Sequence, residues 1–351
     1  MKIGVLTFHR CINYGSYWQA RCLVDGLRTM GHEAVLLDHA CPRVDRAEWR
    51  CALRPTLPQR SSATDRRAYR RKVRRFFRAF AALPLSPAFK LEDARTLPEC
   101  DAVVVGSDEV WNLSHPWYGG CALFYGEGIR DRTLVSYAAS FGHHDVSQGL
   151  DRQWSERLRR FQRIAVRDEA SRRAVHDATG RDPQLVLDPC LAFPPARRPQ
   201  AWAAGYLAVY GHGFSPAFID ATQRWARQRG LPVVSIGYRN DWADVQWLDA
   251  GPHEYATFIA RAEAVVTNFF HGCVFALRND KPFVCEGSWY RAVKLRCLLA
   301  QVGDERRLLD AGATQADCDR LLDAPPGIAV KRCIERQREV SHRYLARALA
   351  A

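Results

Sequence analysis

Short apolar runs alternate with amphipathic ones along almost the whole chain, and this alternation limits the fold more than any other feature. MKIGVLTF reads as a strand, SYWQARCLVDGLRTMG as a helix ending at Gly31, and EAVLLDH as the next strand. DAVVVGSD, RTLVSYAAS, RIAVRD and QLVLDP follow as strands, with EASRRAVHDATG as a helix among them. A Pro-rich break, FPPARRPQ from Phe193 to Gln200, interrupts the pattern, which then restarts. YLAVYG, LPVVSIGY and AEAVVT read as strands, SPAFIDATQRWARQRG and HEYATFIARAE as helices, and GIAVKRCIERQREVSHRYLARAL as a long last helix. Strands that alternate with helices predict parallel sheets covered on both faces. The expectation is an α/β protein of two Rossmann-like domains, residues 1–195 and 201–325, with a C-terminal helix over 326–351 and a cleft between the domains.

At 351 residues the chain is long enough for two domains with full cores. No apolar run approaches the ~18 residues of a membrane span, and MKIGVLTF lacks the plan of a secretion signal, so a cytoplasmic protein is expected. The twelve cysteines are scattered without a CxxC or CxxH pair, and Cys22, Cys273 and Cys297 fall inside apolar helical patterns. They read as small reduced core residues, with no metal-ligand cluster among them. The net charge of +13 favours anionic partners, and no nucleic-acid-binding fingerprint accompanies it. Much of that charge lies in DRRAYRRKVRRFFRAF, a predicted helix near residues 66–80. Tyr69, Val73, Phe76, Phe77 and Phe80 recur there at helical spacing, opposite Arg66, Arg67, Arg70, Arg71, Lys72, Arg74, Arg75 and Arg78. Two readings stay open: a helix whose aromatic stripe packs on a sheet, or one that lies on an acidic membrane surface.

Five stretches are candidates for chemistry. In TNFFHGCVFALRNDKPF, His271 and Gly272 fall between a strand's C-terminal end and a helix N-terminus. In open α/β sheets that edge binds ligands, and a helix N-terminus favours anions. In FHRCINYGSYWQA, Asn13, Tyr14 and Gly15 make a turn able to approach a polar ligand, with Ser16 placed to cap the next helix. In VVVGSDEVWN, Asp108, Trp111 and Asn112 combine hydrogen-bonding groups with an aromatic face, as a sugar requires; the alternative is a capped helix start with a core tryptophan. VSYAASFG, Val135 to Gly142, ends a strand in small residues that suit either close backbone approach to a ligand or tight packing. In VRDEAS, Arg167 ends a strand and can clamp a carboxylate or phosphate with its planar fork; the alternative is a surface pair with Asp168 or Glu169.

The order FHRCINYGSYWQA, GSDEVWN, SYAASFG, VRDEAS, VLDP and TNFFHG with KPF behind it resembles the polysaccharide pyruvyl transferase family, from Met1 to about residue 308. The resemblance implies a GT-B-like arrangement of the two domains, the first on the acceptor side and the second on the donor side. It implies transfer of the enolpyruvyl unit of phosphoenolpyruvate onto two hydroxyls of a sugar, giving a pyruvate ketal, with phosphoenolpyruvate as donor substrate and no cofactor or metal. The family's essential arginine falls on Arg167 and its histidine on His271. A further basic residue expected at the phosphate matches Arg291 best, with Lys294 second. Donor binding is thus expected from Arg167, His271, Gly272, Arg291 and Lys294. Catalysis is expected from His271, Arg167 and Arg291. Acceptor binding is expected from Asn13, Tyr14, Gly15, Asp108, Trp111 and Asn112. A histidine suits proton transfer in either direction because its ordinary pKa lies near neutrality.

The chain departs from the family pattern at Phe269, where a serine is usual, and at Glu109, where the family has GSDQ; SYW also stands in the first loop where small aliphatics are common. These departures touch the acceptor more than the donor. The acceptor is expected to be a polysaccharide or cell-wall precursor, free or lipid-linked, in the latter case reached at the inner membrane face. Two other readings remain: a GT-B glycosyltransferase using a nucleotide sugar, and a non-catalytic binding protein of the same fold.

Overall fold

The computed structural model describes residues 1–93, 96–130, 132–195, 205–287, 292–310 and 312–350. The first half contains strands β1 (Lys2–Leu6), β2 (Glu33–Leu36), β3 (His39–Ala40), β4 (Phe89–Lys90), β5 (Ala102–Val105), β6 (Thr133–Ser136), β7 (Ala165–Val166) and β8 (Gln184–Leu185). Its helices are α1 (Tyr14–Thr29), α2 (Pro42–Leu53), α3 (Ala63–Ala81), α4 (Arg152–Arg159), α5 (Glu169–Thr179) and α6 (Pro189–Ala192). The second half contains β9 (Leu207–Tyr210), β10 (Val233–Ile236), β11 (Val245–Trp247), β12 (Ala264–Thr267), β13 (Phe283–Glu286) and β14 (Leu308–Leu309). Its helices are α7 (Pro216–Gln228), α8 (Pro252–Arg261), α9 (Phe270–Arg278), α10 (Ala292–Val302), α11 (Gln315–Asp323) and α12 (Ile328–Leu349). The α2 helix has no counterpart in the sequence reading, and most of the FPPARRPQ break lies outside the described residues.

Both halves are parallel α/β sheets. The first runs β2-β1-β5-β6, and single parallel bridges Val135–Arg163 and Ala139–Val166 carry it on to the β7–β8 pair. The second runs β11-β10-β9-β12-β13-β14. The apolar runs AVVV of β5, LAVY of β9 and AVVT of β12 are buried along their whole length, as strands covered by helices on both faces must be. In each sheet the chain reverses its winding direction beside the first strand, between β1 and β5 and between β9 and β12. Such switch points open a crevice at the carboxyl ends of the strands.

The two halves share one apolar core. Tyr14, Trp18, Phe76 and Phe80 belong to the same buried cluster as Tyr210, Tyr255, Phe258 and Phe275. Tyr14 stacks flat on Tyr255 with ring centroids 4.4 Å apart, and its hydroxyl donates to the Ala250 carbonyl at 2.8 Å. The Trp18 indole donates to the Pro252 carbonyl at 2.8 Å. Helix α12 returns to the first half, where Tyr344 donates to the Ser136 carbonyl and Ser341 accepts from the Leu187 amide. All twelve cysteines are free.

Helix α3 buries most of its aromatic stripe, with two corrections to the sequence reading. Ser62 caps it and Asp65 completes the capping box, while Asp65 also binds Arg239 of the second half at 3.0 Å. Tyr69, Phe76 and Phe80 are buried, so the aromatic stripe does pack, but Phe77 stays exposed. Lys72, expected on the charged face, is buried as well. Its ammonium lies over the rings of Tyr14 and Tyr238 and donates to the Gly237 carbonyl at 3.1 Å.

Burial lowers the Lys72 pKa to about 7. The unfolded chain therefore takes up this proton first as pH falls, and the fold is penalised increasingly from about pH 10 down to about 7. Lys72→Met is predicted to raise the thermal midpoint at pH 6 and to have little effect at pH 10. The gain at pH 6 is at most about 5 kcal/mol, since the two ring contacts offset part of the burial cost.

Candidate active site

The carboxyl ends of both sheets face one cavity of about 350 Å³. Residues that follow β1 (Asn13, Ser16), β5 (Asp108, Glu109), β7 (Arg167), β9 (His212), β10 (Tyr238) and β12 (Phe269, His271) line it, with Glu48 from α2 and Lys294 from α10. A larger cavity of about 870 Å³ lies elsewhere, between α1, α8 and α9. It holds none of these side chains, so the smaller cavity is the candidate site.

Arg167 leaves the end of β7 and turns inward, not toward Asp168 or Glu169. Asp168 caps α5 and Glu169 pairs with Arg172. The guanidinium is buried, 3.5 Å from Asp108 through Nη2 and 3.8 Å from Asp188 through Nη1, with its Cζ 4.7 Å from the centre of the Phe270 ring. Burial works against its charge, but Asp108 and Asp188 outweigh burial and raise its pKa. His271 sits in the first turn of α9, and its Nε2 is 3.5 Å from the same Asp188 oxygen. Both separations exceed a hydrogen bond. Arg167 Nη1, Asp188 Oδ2 and His271 Nε2 are thus three buried polar atoms with charge attraction among them but no hydrogen-bond partner. Such unsatisfied groups are rare in protein interiors, and three of them meet here.

Asp188 is the residue that sequence reasoning missed. It caps the short helix α6 by accepting from the Cys190 amide at 2.9 Å, and its second oxygen faces Arg167 and His271. Burial raises its pKa, and the charges of His271 and Arg167 more than reverse this. Its place in VLDP was a signal, but its partners come from distant segments. Asp188, Cys190 and His271 also offer three possible metal-ligand atoms within 4.8 Å of one another. That set suits a metal poorly, because Arg167 already opposes the carboxylate and burial pushes the Cys190 thiol well up, away from thiolate.

The glycines near His271 are there for packing. A Cβ on Gly15 would overlap the His271 ring, so Gly15 serves the site by admitting the imidazole against α1. A Cβ on Gly272 would overlap Thr267, whose hydroxyl donates to the Tyr210 carbonyl and accepts from the Phe269 amide. Helix α9 has no side-chain cap, since Phe269 occupies the capping position. Its ring instead packs with Tyr210, His212 and Tyr238 into an aromatic wall of the cavity.

Other expected residues are placed differently from the sequence reading. Asn13, not Ser16, caps α1, accepting from the Gly15 and Ser16 amides, while still lining the cavity; Ser16 donates to Asp108 at 2.9 Å. Tyr14 is buried between the two halves and does not line the cavity. Trp111 is wholly buried, donates to the Phe124 carbonyl and packs on Tyr125, Phe141 and Phe161, so it is a core residue and not a sugar platform. Asn112 is buried and donates to Glu109 at 2.8 Å, orienting that carboxylate and not a ligand. Lys294 lines the cavity but its ammonium is engaged by Glu109. Burial raises the Glu109 pKa, yet the bond from His143 and the charges of Lys294 and Arg167 hold it well below the usual range. Arg291 lies outside the described residues.

Glu48 adds a carboxyl the sequence did not single out. It accepts from the Ile12 amide at 3.3 Å, and burial pushes its pKa from 4.5 up to about 7. The unfolded chain ionises this acid first, so the fold loses stability as pH rises from about 4.5 through about 7. Glu48→Gln is predicted to melt with the parent protein at pH 4 and to gain up to about 3 kcal/mol over it at pH 8. Gly15→Ala is predicted to fold with about 1–3 kcal/mol less stability and to push the imidazole off Asp188. NMR of the His271 ring protons reads this directly; unchanged shifts would mean that the ring does not depend on Gly15.

The sequence profile of the polysaccharide pyruvyl transferase family matches residues 13–289. No curated protein matches the chain. Among solved structures, a putative UDP-N-acetylglucosamine 2-epimerase from Listeria monocytogenes superposes with a TM-score of 0.51 at 10% identity, covering 99% of this chain and 95% of its own. AviGT4, a glycosyltransferase involved in avilamycin A biosynthesis, superposes with a TM-score of 0.51 at 15% identity, covering 99% and 97%. These likenesses are of fold, and they give the two Rossmann-like domains a GT-B-like arrangement. With a profile spanning most of its length, the chain belongs to the polysaccharide pyruvyl transferase family.

Proposed function

We propose that the protein transfers the enolpyruvyl unit of phosphoenolpyruvate onto two hydroxyls of one sugar in a polysaccharide precursor. The observation that carries this reading is the convergence of Arg167 Nη1 and His271 Nε2, both buried and unbonded, on one face of the cleft. Phosphoenolpyruvate holds a carboxylate and a phosphate close together and needs a fixed planar cation near a proton donor. Arg167 supplies the cation and the start of α9 adds its dipole.

In this reading His271 delivers a proton to the methylene carbon, and C2 gains oxocarbenium character. One sugar hydroxyl adds to C2 and gives up its proton. The bond from C2 to the phosphate oxygen breaks and inorganic phosphate leaves, its charge offset by Arg167. The second hydroxyl closes the ketal and gives up its own proton. Of the two hydroxyl protons, one balances the proton placed on the methyl group and one leaves with phosphate. Asp188 holds the imidazole and the guanidinium in place. The aromatic wall of Tyr210, Tyr238 and Phe269 supplies an apolar face for the sugar.

That same wall favours a second reading, in which a nucleotide sugar occupies the cleft. Calorimetric titration separates the two without an acceptor. Saturable binding of phosphoenolpyruvate is expected, weakened roughly 10- to 100-fold in Arg167→Ala, as for loss of a charge-assisted hydrogen bond. Saturable binding of a UDP- or GDP-sugar with none of phosphoenolpyruvate would replace the proposal with the glycosyltransferase reading. With an acceptor in hand, His271→Ala is expected to remain folded and lose turnover; full activity would remove His271 from the chemistry.

A further inference from the structure

Residues 42–81 carry most of the chain's charge imbalance. Thirteen basic and three acidic residues stand there, a net +10 of the chain's +13. Folded, the segment forms helices α2 and α3, which pack on each other. Part of this charge is used within the fold. Arg71 and Arg75 reach Asp249, Arg75 also reaches Glu254, and Lys72 is buried. Of the remainder, Arg50, Arg54, Arg67, Arg70, Arg74 and Arg78 are exposed, and no carboxylate among the described residues pairs with them.

Within this charge lies an apolar feature. Trp49 of α2 and Phe77 of α3 are 45% and 38% exposed, and their rings meet edge to face with centroids 5.6 Å apart. They are the only aromatic side chains among the large exposed hydrophobics of the described residues. Single exposed apolar residues need no explanation, but two aromatics in contact, from different helices and flanked by unpaired arginines, do. Arg70 and Arg74 share the helical face of Phe77, at i−7 and i−3. Tryptophan and phenylalanine beside cationic side chains are the composition that settles into a lipid headgroup layer.

We infer that helices α2 and α3 dock the protein on an anionic bilayer, with Trp49 and Phe77 in the headgroup layer and the arginines on lipid phosphates. A single-stranded nucleic acid would want a basic groove to follow, whereas these charges stand on the outer faces of two helices. The inner face of α2 belongs to the cleft: Glu48 lines it, and Arg43 donates to the carbonyl of Trp117 in the cleft wall. Docking here brings the cleft to the bilayer surface. Combined with the proposed transfer, it gives a saccharide carried on a membrane lipid as the acceptor, and that step alone rests on the transfer reading.

The test uses the full chain and vesicles, with neither donor nor acceptor, so its result is independent of the transfer chemistry. Sedimentation with phosphatidylcholine vesicles containing phosphatidylglycerol is expected to carry the protein down, and pure phosphatidylcholine vesicles are not. Raised salt should weaken binding. Arg70→Gln/Arg74→Gln/Arg78→Gln is expected to lower partitioning by on the order of 100-fold, at roughly fivefold per arginine. Trp49→Ser/Phe77→Ser is expected to lower it about tenfold or more. Both variants change exposed side chains, and matching thermal melts would show that they fold. Quenching of tryptophan fluorescence by brominated lipid, lost in Trp49→Phe, gives a second readout in a near-isosteric variant. No binding to anionic vesicles at low salt, equal binding by parent and both variants, or binding to a DNA oligonucleotide with none to vesicles would each overturn the inference.

Discussion

A single carboxylate oxygen organises the centre of this molecule. Asp188 Oδ2 is the shared counter-charge for a guanidinium from the first domain and an imidazole from the second. The buried Arg167 guanidinium needs such an anion, and the same oxygen also faces the His271 ring nitrogen. Much of the local architecture follows. The carboxyl edges of both sheets must face each other, α1 must present a glycine where the imidazole lies, and Thr267 must fold back under Gly272. Two of the acidic groups that line the cleft then serve as tethers for basic ones: Asp108 for Arg167, and Glu109 for Lys294.

The parts of this arrangement that could be read from the sequence are those set by local rules. Alternating apolar and amphipathic runs gave both sheets and most helices, and the ends of strands gave Arg167 and His271 as candidates. The parts that could not be read depend on where distant segments meet. Trp111 beside Asp108 and Asn112 has the composition of a sugar site, yet the chain turns the indole into the core and Asn112 toward Glu109. Tyr14 sits in a loop that reads as ligand-facing and is instead covered by Tyr255 of the other domain. Asp188 looks like an ordinary cap before Pro189; only the fold brings Arg167 and His271 to its free oxygen. Helix α2 begins at a proline and has one buried apolar side chain, Val44, so its periodicity is too weak to announce it.

Phe269 shows how a departure from a family pattern can be absorbed. A serine there would cap α9 with its hydroxyl, and losing such a cap costs about 1 kcal/mol. The phenyl ring returns apolar burial against Tyr210 and Tyr238. The exchange also changes the cavity, replacing a small hydrogen-bonding group with a broad apolar face in a lining that also includes Asp108 and Glu48.

The shared core between the domains has a mechanical consequence. In many two-domain enzymes the halves close like a hinge, which requires an interface that can slide or part at low cost. Here the seam is a stack of tyrosines and phenylalanines continuous with both interiors, crossed by hydrogen bonds from Tyr14 and Trp18 and fastened again where α12 returns to the first domain. Opening it would expose aromatic area and strand buried hydroxyls. Widening the cleft along this seam therefore carries a cost in aromatic burial and in buried hydrogen bonds.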